Sequence, residues 1–319
     1  MQRRALGQSN IQASVVGFGA WAIGGWLWGG QEQTDAIRAI HAAIDEGIDL
    51  IDTAPIYGFG ASEQTVGKAI SDRREKVVLA TKCGLVWDTR KGEHFFNSTQ
   101  ETVTQSGEIC VQKYLGPESI GKEIEASLER LRTDHIDLYQ THWQESTTPI
   151  EDTMAELLRL KDQGKIRAIG VSNASPEQMD AYREVGPLDA DQEKYSMLDR
   201  DLEDANMAYA ADNGLAMLAY SPIAQGLLTG KMGPDRTFEE GDLRKDNDRF
   251  SVENRKRVQQ LLDEFKPVAE AHDATMTQIV IAWTFHRRGC SHVLVGARNP
   301  NQAKENAAAG AIQLTDEQL

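Results

Sequence analysis

The chain has 319 residues and a formal net charge of −15, from 34 basic and 49 acidic side chains. That balance argues against a nucleic-acid or anionic-membrane partner, either of which needs a basic face, and no stretch reaches the roughly 18 apolar residues of a membrane span. Cys83, Cys110 and Cys290 are odd in number and lack metal-ligand spacing, and no apolar leader follows Met1, so a cytoplasmic protein without disulfides is expected.

Residues 4–14 read as two short strands about Gln8-Ser9-Asn10, suited to capping the bottom of a barrel. Short apolar strands then alternate with amphipathic helices. Strands are expected at 15–19, 50–52, 77–81, 136–141, 168–172, 190–193, 216–219 and 293–296. Helices between them follow from apolar spacings of three and four, as in Ala36-Ile37-Ile40-Ala43-Ile44 and Met154-Leu157-Leu158. Thr34 is placed at the start of the first helix and Gly47 at its end. Gly164 closes the helix before the fifth strand, and Ser175-Pro176-Glu177 opens the one after it. Eight strands with helical crossovers form right-handed parallel pairs and close an α/β fold, a (β/α)₈ barrel, as one domain over 1–319. Two long connections, 83–117 and 221–250, leave the carboxyl-terminal face, where active sites of such barrels sit.

Gly17-Phe18-Gly19 after the first strand is not a dinucleotide fingerprint. Ala22 takes the third glycine position and no helix follows directly, so these glycines are expected to make a tight strand end beside a ligand. Trp21, Trp26 and Trp28 follow; they either pack on the barrel top or wall a pocket. With Tyr57, Trp87 and Trp143 they form the candidate substrate pocket. The densest signal is polar residues at the ends of three strands: Asp52 with Tyr57, Lys82, and His142. A cation beside a phenol lowers its pKa, so that Tyr57 can exchange a proton with a carbonyl oxygen. Each residue has an ordinary structural use, but four together on one face of a barrel form a catalytic constellation for carbonyl reduction. No second His or Cys stands at ligand spacing, so no metal is expected.

Over nearly its whole length the chain resembles the aldo-keto reductase family. The matching stretches are Gly47 to Tyr57 with Ser62-Glu63 and Val66-Gly67, Ala80-Thr81-Lys82, Ile136 to Trp143, Gly164 to Asn173, Tyr220-Ser221-Pro222, and Gly296-Ala297-Arg298 with Glu305-Asn306. It is most similar to bacterial members of the general-stress and inositol-utilisation kind, which are related to potassium-channel β subunits. The resemblance implies a (β/α)₈ barrel that binds NADP(H) across its carboxyl-terminal face, with Asp52, Tyr57, Lys82 and His142 as the catalytic tetrad. It implies that Gly19, Ala20, Trp21 and Asp52 lie beside the cofactor and that Ser172, Asn173 and Gln192 hold the carboxamide. By the same likeness Tyr220 stacks on the nicotinamide, and Ser221, Pro222, Ile223, Gly226 and Lys231 wrap the pyrophosphate. Gly296, Arg298, Gln302, Glu305 and Asn306 would hold the adenosine end. The segment departs from the family where Gly296, Ala297 and Gln302 replace basic residues or serine, leaving Arg298 as the nearby fixed cation. NADP(H) is therefore expected to be preferred, with NAD(H) still accepted; alternatively Arg298 pairs with surface carboxylates. Gln144 replaces a frequent proline, and the C-terminal substrate loop is expected to be short.

The expected activity is reduction of an aldehyde or ketone, hydride coming from the nicotinamide and the proton from Tyr57. Two alternatives stand beside it: a cofactor-holding redox sensor of the channel β-subunit type, in which His142 would usually be Asn, and a polyol or sugar dehydrogenase working in the oxidising direction.

Overall fold

A computed structural model describes residues 1–25, 27–28, 32–99 and 107–319. Eight parallel strands close a barrel in strict chain order: β1 (Val16–Gly19), β2 (Leu50–Asp52), β3 (Val78–Cys83), β4 (Ile136–Thr141), β5 (Ile166–Ser172), β6 (Ala190–Lys194), β7 (Ala216–Tyr220) and β8 (Cys290–Val295). Closure pairs β8 with β1 through Val293↔Val16, Leu294↔Gly17 and Val295↔Phe18. Around it run α1 (Gln33–Asp45), α2 (Ala61–Ile70), α3 (Pro117–Leu131), α4 (Ile150–Asp162), α5 (Pro176–Val185), α6 (Ala208–Asn213), α7 (Val252–Glu264), α8 (Lys266–Ala271), α9 (Met276–His286) and α10 (Pro300–Ala309). The expected (β/α)₈ barrel is thus present.

The strands build two cores because side chains alternate across a pleat. Outward residues such as Ile51, Leu79, Tyr139, Ile169, Val171, Met217 and Val293 join the helices in the larger core. Inward residues, among them Leu50, Ala80, Leu138, Ala190, Leu218 and Leu294, fill the barrel, and Leu6, Ile11 and Ala13 of the hairpin close its base. That hairpin pairs Arg3–Ala5 antiparallel with Gln12–Ser14. Gly17 belongs to this packing, since a Cβ there would meet Leu294 Cδ2 at 2.8 Å and Leu50 Cδ2 at 3.0 Å. Only Gly19 of the expected glycine turn reaches the cavity on the carboxyl-terminal face.

Helix ends follow the expected signals with one correction. Ser175 caps α5 through a reciprocal box with Gln178, and Gly164 lies beyond α4 with φ 73°. Thr34 does not cap α1: it is the second helical residue, and Glu32 holds the cap position. The 83–117 connection carries an antiparallel sheet that periodicity does not reveal, in which Ile109–Lys113 pairs with both Leu85–Val86 and Glu93–Ser98. Among the described residues no helix is long and apolar enough to cross a membrane.

Candidate active site

The inward row that is apolar at the bottom of the barrel turns polar at its top. Two residues after Leu50, Ala80, Leu138 and Ala190 on that row come Asp52, Lys82, Gln140 and Gln192. Lys82, fully buried, donates to Asp52 Oδ1 at 3.0 Å and Oδ2 at 2.7 Å, and to the Thr53 carbonyl at 3.0 Å. Its Nζ lies 3.4 Å from the Tyr57 hydroxyl. Gln192 Nε2 and Gln140 Nε2 donate to Asp52 Oδ1 at 2.8 and 3.4 Å. Asp52 is thus held by one cation and two amides. The His142 ring stands edge-on to Tyr57 with centroids 5.7 Å apart, so the structure brings all four tetrad residues together.

Local backbone explains why Tyr57 stands there. Gly58 has φ 65°, and a Cβ on it would meet the Gly24 carbonyl at 2.5 Å, so the turn after β1 lies directly against the turn carrying Tyr57. Trp21 on that turn is 6.3 Å from Tyr57 between ring centroids, and meets Trp28 edge-on at 5.3 Å.

The electrostatics correct one expectation. The Tyr57 phenol is pushed well above its ordinary value, first by burial and then by the Asp52 carboxylate. Asp52 offsets the positive charge of Lys82 and burial prevails, so the resting phenol stays neutral. Burial lowers Lys82 despite Asp52, and it lowers His142 well below its usual range, with Lys82 adding to that fall. The result is a neutral phenol and a neutral imidazole beside a buried ion pair. Such a phenol can give up a proton, and such an imidazole can donate one hydrogen bond.

Tyr57 opens onto a cavity of about 410 Å³ that runs across the carboxyl-terminal face. Of the residues expected beside a cofactor, Gly19, Trp21, Asp52, Gln192, Tyr220, Ser221, Pro222, Ile223, Gly226, Lys231, Gly296, Arg298, Gln302, Glu305 and Asn306 line it. Ala20, Ser172 and Asn173 do not. Ala20 donates its N–H to the Asp52 carbonyl, tying β1 to β2. Ser172 donates to the Gln192 carbonyl at 2.7 Å, while Asn173 Nδ2 donates to the His142 carbonyl and Asn173 Oδ1 accepts from the Tyr220 hydroxyl, both at 2.9 Å. Lys231 and Glu305 pair with each other at 2.7 Å.

Among the expected pocket aromatics, Trp21 and Trp28 line this cavity, whereas Trp87 does not. The left-handed turn at Gly84 sends the chain outward, so Trp87 packs edge-on against Phe59 at 5.3 Å and lines a separate cavity of about 350 Å³. Trp143 packs against Phe95 of the inserted sheet, also at 5.3 Å. Trp26 lies outside the described residues.

Sequence reasoning misses Gln140, although its parity with Leu138 signals an inward position. It also misses two guanidinium groups. Arg236 and Arg244 join Arg298 in lining the cavity, so Arg298 is not its single arginine. Arg244 grips Asp242 through two bonds, at 2.9 and 2.6 Å, and lies over the Trp28 ring at 5.0 Å. An elongated cleft with an ion pair and phenol at one end and three guanidinium groups along it fits an anionic nucleotide.

A family profile described as the aldo/keto reductase family matches residues 15–319, and the chain belongs to that family. It is therefore an NAD(P)-dependent oxidoreductase of carbonyl compounds. The chain is 40% identical over 305 residues to aldo-keto reductase YhdN of Bacillus subtilis (strain 168), covering 95% of this chain and 86% of that protein. It is 41% identical over 322 residues to an NADH-specific methylglyoxal reductase of Escherichia coli (strain K12), covering 99% and 95% respectively. The structure of a glycerol dehydrogenase from Gluconobacter oxydans superposes with a TM-score of 0.85 at 41% identity, covering 97% of this chain and 90% of that one.

Proposed function

We propose that this chain, as one barrel domain over residues 1–319 acting in the cytoplasm, reduces small aldehydes and ketones with Tyr57 as proton donor. The observation that carries the reading is a neutral, half-buried Tyr57 hydroxyl 3.4 Å from an ammonium that Asp52 and the Thr53 carbonyl hold in place. When bound, the nicotinamide nucleotide supplies the hydride. Tyr57 hands its proton to the substrate oxygen, and Lys82 steadies the phenolate left behind. His142 donates a hydrogen bond to the same oxygen, which orients and polarises the carbonyl. Asp52 holds Lys82, while Gln140 and Gln192 hold Asp52. Trp21 and Trp28 wall the substrate end beside Tyr57.

Tyr220 and Gln192, which line the cleft, would hold the nicotinamide, with Asn173 fixing the Tyr220 hydroxyl, and the 221–231 stretch would hold the pyrophosphate. Arg298, with Gln302 and Asn306, would hold the adenosine end. Arg236 adds positive charge along that cleft, while Arg244 lines it with its charge paired to Asp242; the arginines support a preference for the 2′-phosphate of NADPH while NADH is accepted. The NADH-specific Escherichia coli relative argues the other way, and the ratio of kcat/KM for the two nucleotides decides.

The glycerol dehydrogenase neighbour raises polyol oxidation as a second reading. Oxidation needs Tyr57 as a base, and a phenol pushed upward by burial and Asp52 favours the acid role. A steady-state screen of NADPH and NADH against small aldehydes, and of NADP⁺ and NAD⁺ against the matching alcohols, tests both. Tight nucleotide binding without turnover on any carbonyl would instead select the sensor alternative.

A further inference from the structure

We propose that Asp191 and Glu193, on the outward face of β6, share one proton, and that this proton holds the 172–174 loop in the shape that seats Asn173 and Tyr220 at the nicotinamide end of the cleft. The proposal rests on the functional reading above, because it concerns how the nucleotide site is positioned. It makes the two carboxyls positioning residues.

Asp191 and Glu193 flank Gln192 and point away from the barrel axis, where both are buried. Among the described residues no lysine or arginine pairs with either. Asn206 Nδ2 donates to Asp191 Oδ2 at 3.0 Å, and the Ala174 N–H donates to Glu193 Oε1 at 2.9 Å. Asp191 Oδ1 is buried with no donor reaching it. Two carboxylates in one dry site without a cation cannot both ionise. A proton retained between them supplies the donor that Asp191 Oδ1 lacks. Asn206 Nδ2 reaches both carboxyls, lying also 3.4 Å from Glu193 Oε1, and burial pushes both groups upward, Asp191 further, with Glu193 reinforcing it.

The surrounding charges are engaged elsewhere. On β6, Lys194 pairs with Asp199, which Arg249 also holds. In the following turn Glu203 is bound by Arg200 and the Tyr195 hydroxyl. Tyr182 of α5 gives its hydroxyl to Gln144, and on β7 the titratable neighbour is the Tyr220 phenol, itself raised by burial and by Glu193. The link to the site is short. Ala174 is clamped from both sides, by Glu193 at its N–H and by Asn206, which donates to its carbonyl at 2.7 Å. The preceding Asn173 has φ 54°, a left-handed conformation that its surroundings must hold in place. Its side chain grips the His142 carbonyl and receives the Tyr220 hydroxyl. Loss of the shared proton sets two negative charges against each other beneath this loop and loosens the seat of Tyr220.

The test is a fluorescence titration of NADH binding between about pH 7 and 10; NADH lacks the 2′-phosphate, a group of the monoester type that ionises near 6. Wild-type affinity should fall about fivefold or more towards the alkaline end of that range, where the shared proton is lost, the size of a typical coupling between two sites. Glu193→Gln places a permanent N–H where the proton sat and should keep its low-pH affinity across the range; Asp191→Asn should do the same. A pH-independent wild type, or variants that retain the wild-type pH dependence, would overturn the proposal. Infrared difference spectra without nucleotide should show a protonated-carboxyl band at neutral pH that loses one component in Glu193→Gln, and an unchanged band also overturns it. A chain with the band that binds no NADH at any pH overturns the functional reading and the link to Tyr220 with it.

Discussion

Replacing Tyr57 by Phe removes one oxygen atom and separates catalysis from stability. The hydroxyl makes one long contact, 3.4 Å from Lys82 Nζ, and that ammonium keeps its bonds to both oxygens of Asp52 and to the Thr53 carbonyl. The lost bond is therefore at the weak end of the ordinary range of about 0.5–1.5 kcal/mol, and the phenyl ring retains the packing against Trp21 and His142. Urea unfolding should differ from wild type by about 1 kcal/mol or less. Turnover should fall by a factor of roughly 10² to 10⁴, as expected for loss of a general acid. The lower bound corresponds to about 2.7 kcal/mol of transition-state stabilisation. Stopped-flow measurement of hydride transfer under single turnover, with nucleotide affinity from fluorescence in parallel, isolates the chemical step. Wild-type hydride transfer in the Phe variant would refute Tyr57 as the proton donor, and an equal loss of affinity and rate would assign the hydroxyl to binding.

Lys82→Met leaves the Asp52 carboxylate buried with two amides and no cation, so unfolding free energy should drop by roughly 3–5 kcal/mol and activity should vanish; an unchanged urea midpoint contradicts the buried pair. Arg298→Ala should raise the Michaelis constant for NADPH about tenfold to a hundredfold, the worth of one charge-assisted contact, and leave that for NADH nearly alone; equal changes would remove Arg298 from 2′-phosphate recognition. Glu123 is raised from 4.5 to about 8, chiefly by burial. The folded chain therefore keeps a proton that the unfolded chain loses above about 4.5, and stability falls as pH rises towards 8. Glu123→Gln should raise the melting temperature at pH 8 and barely change it at pH 4.5, as thermal scans at the two pH values would show.

The barrel is legible because its strands advertise themselves in two ways, by apolar runs and by polar residues at one end. The expected 136–141 strand matches β4 residue for residue. β5 begins two residues earlier than expected because the exposed Arg167 interrupts the apolar run, although Ile166 before it pairs with Ile136 of β4. The inserted sheet is hidden because Leu85–Val86 is too short to show a period and Glu93–Ser98 mixes charge with adjacent aromatics. The tetrad is readable for the same reason as the strands, since each member sits at or just beyond a strand end. Arg236 and Arg244 are not readable. The chain path that brings them to the cleft is set by tertiary contacts, such as the Leu243 N–H on the Leu27 carbonyl and the Trp28↔Asp242 bridge. The direction of the Tyr57 shift is equally hidden, because a lysine in a sequence does not reveal whether its charge is already neutralised.

Seven of the eight strand pairings join consecutive strands, and only β8 with β1 bridges distant parts of the chain. The cleft straddles that seam, with Gly19 and Trp21 on one side and Gly296 and Arg298 on the other. Gly19 and Gly296 run so close that a Cβ on Gly296 would lie 3.6 Å from the Gly19 carbonyl oxygen. On the proposed reading, a nucleotide lying there would act as a reversible staple across the longest loop in the molecule, where closure entropy is greatest. Ligand release and parting of the barrel wall then draw on the same contacts. Amides of β1 and β8 should gain more protection from hydrogen exchange on nucleotide binding than those of β4 and β5, opposite the seam.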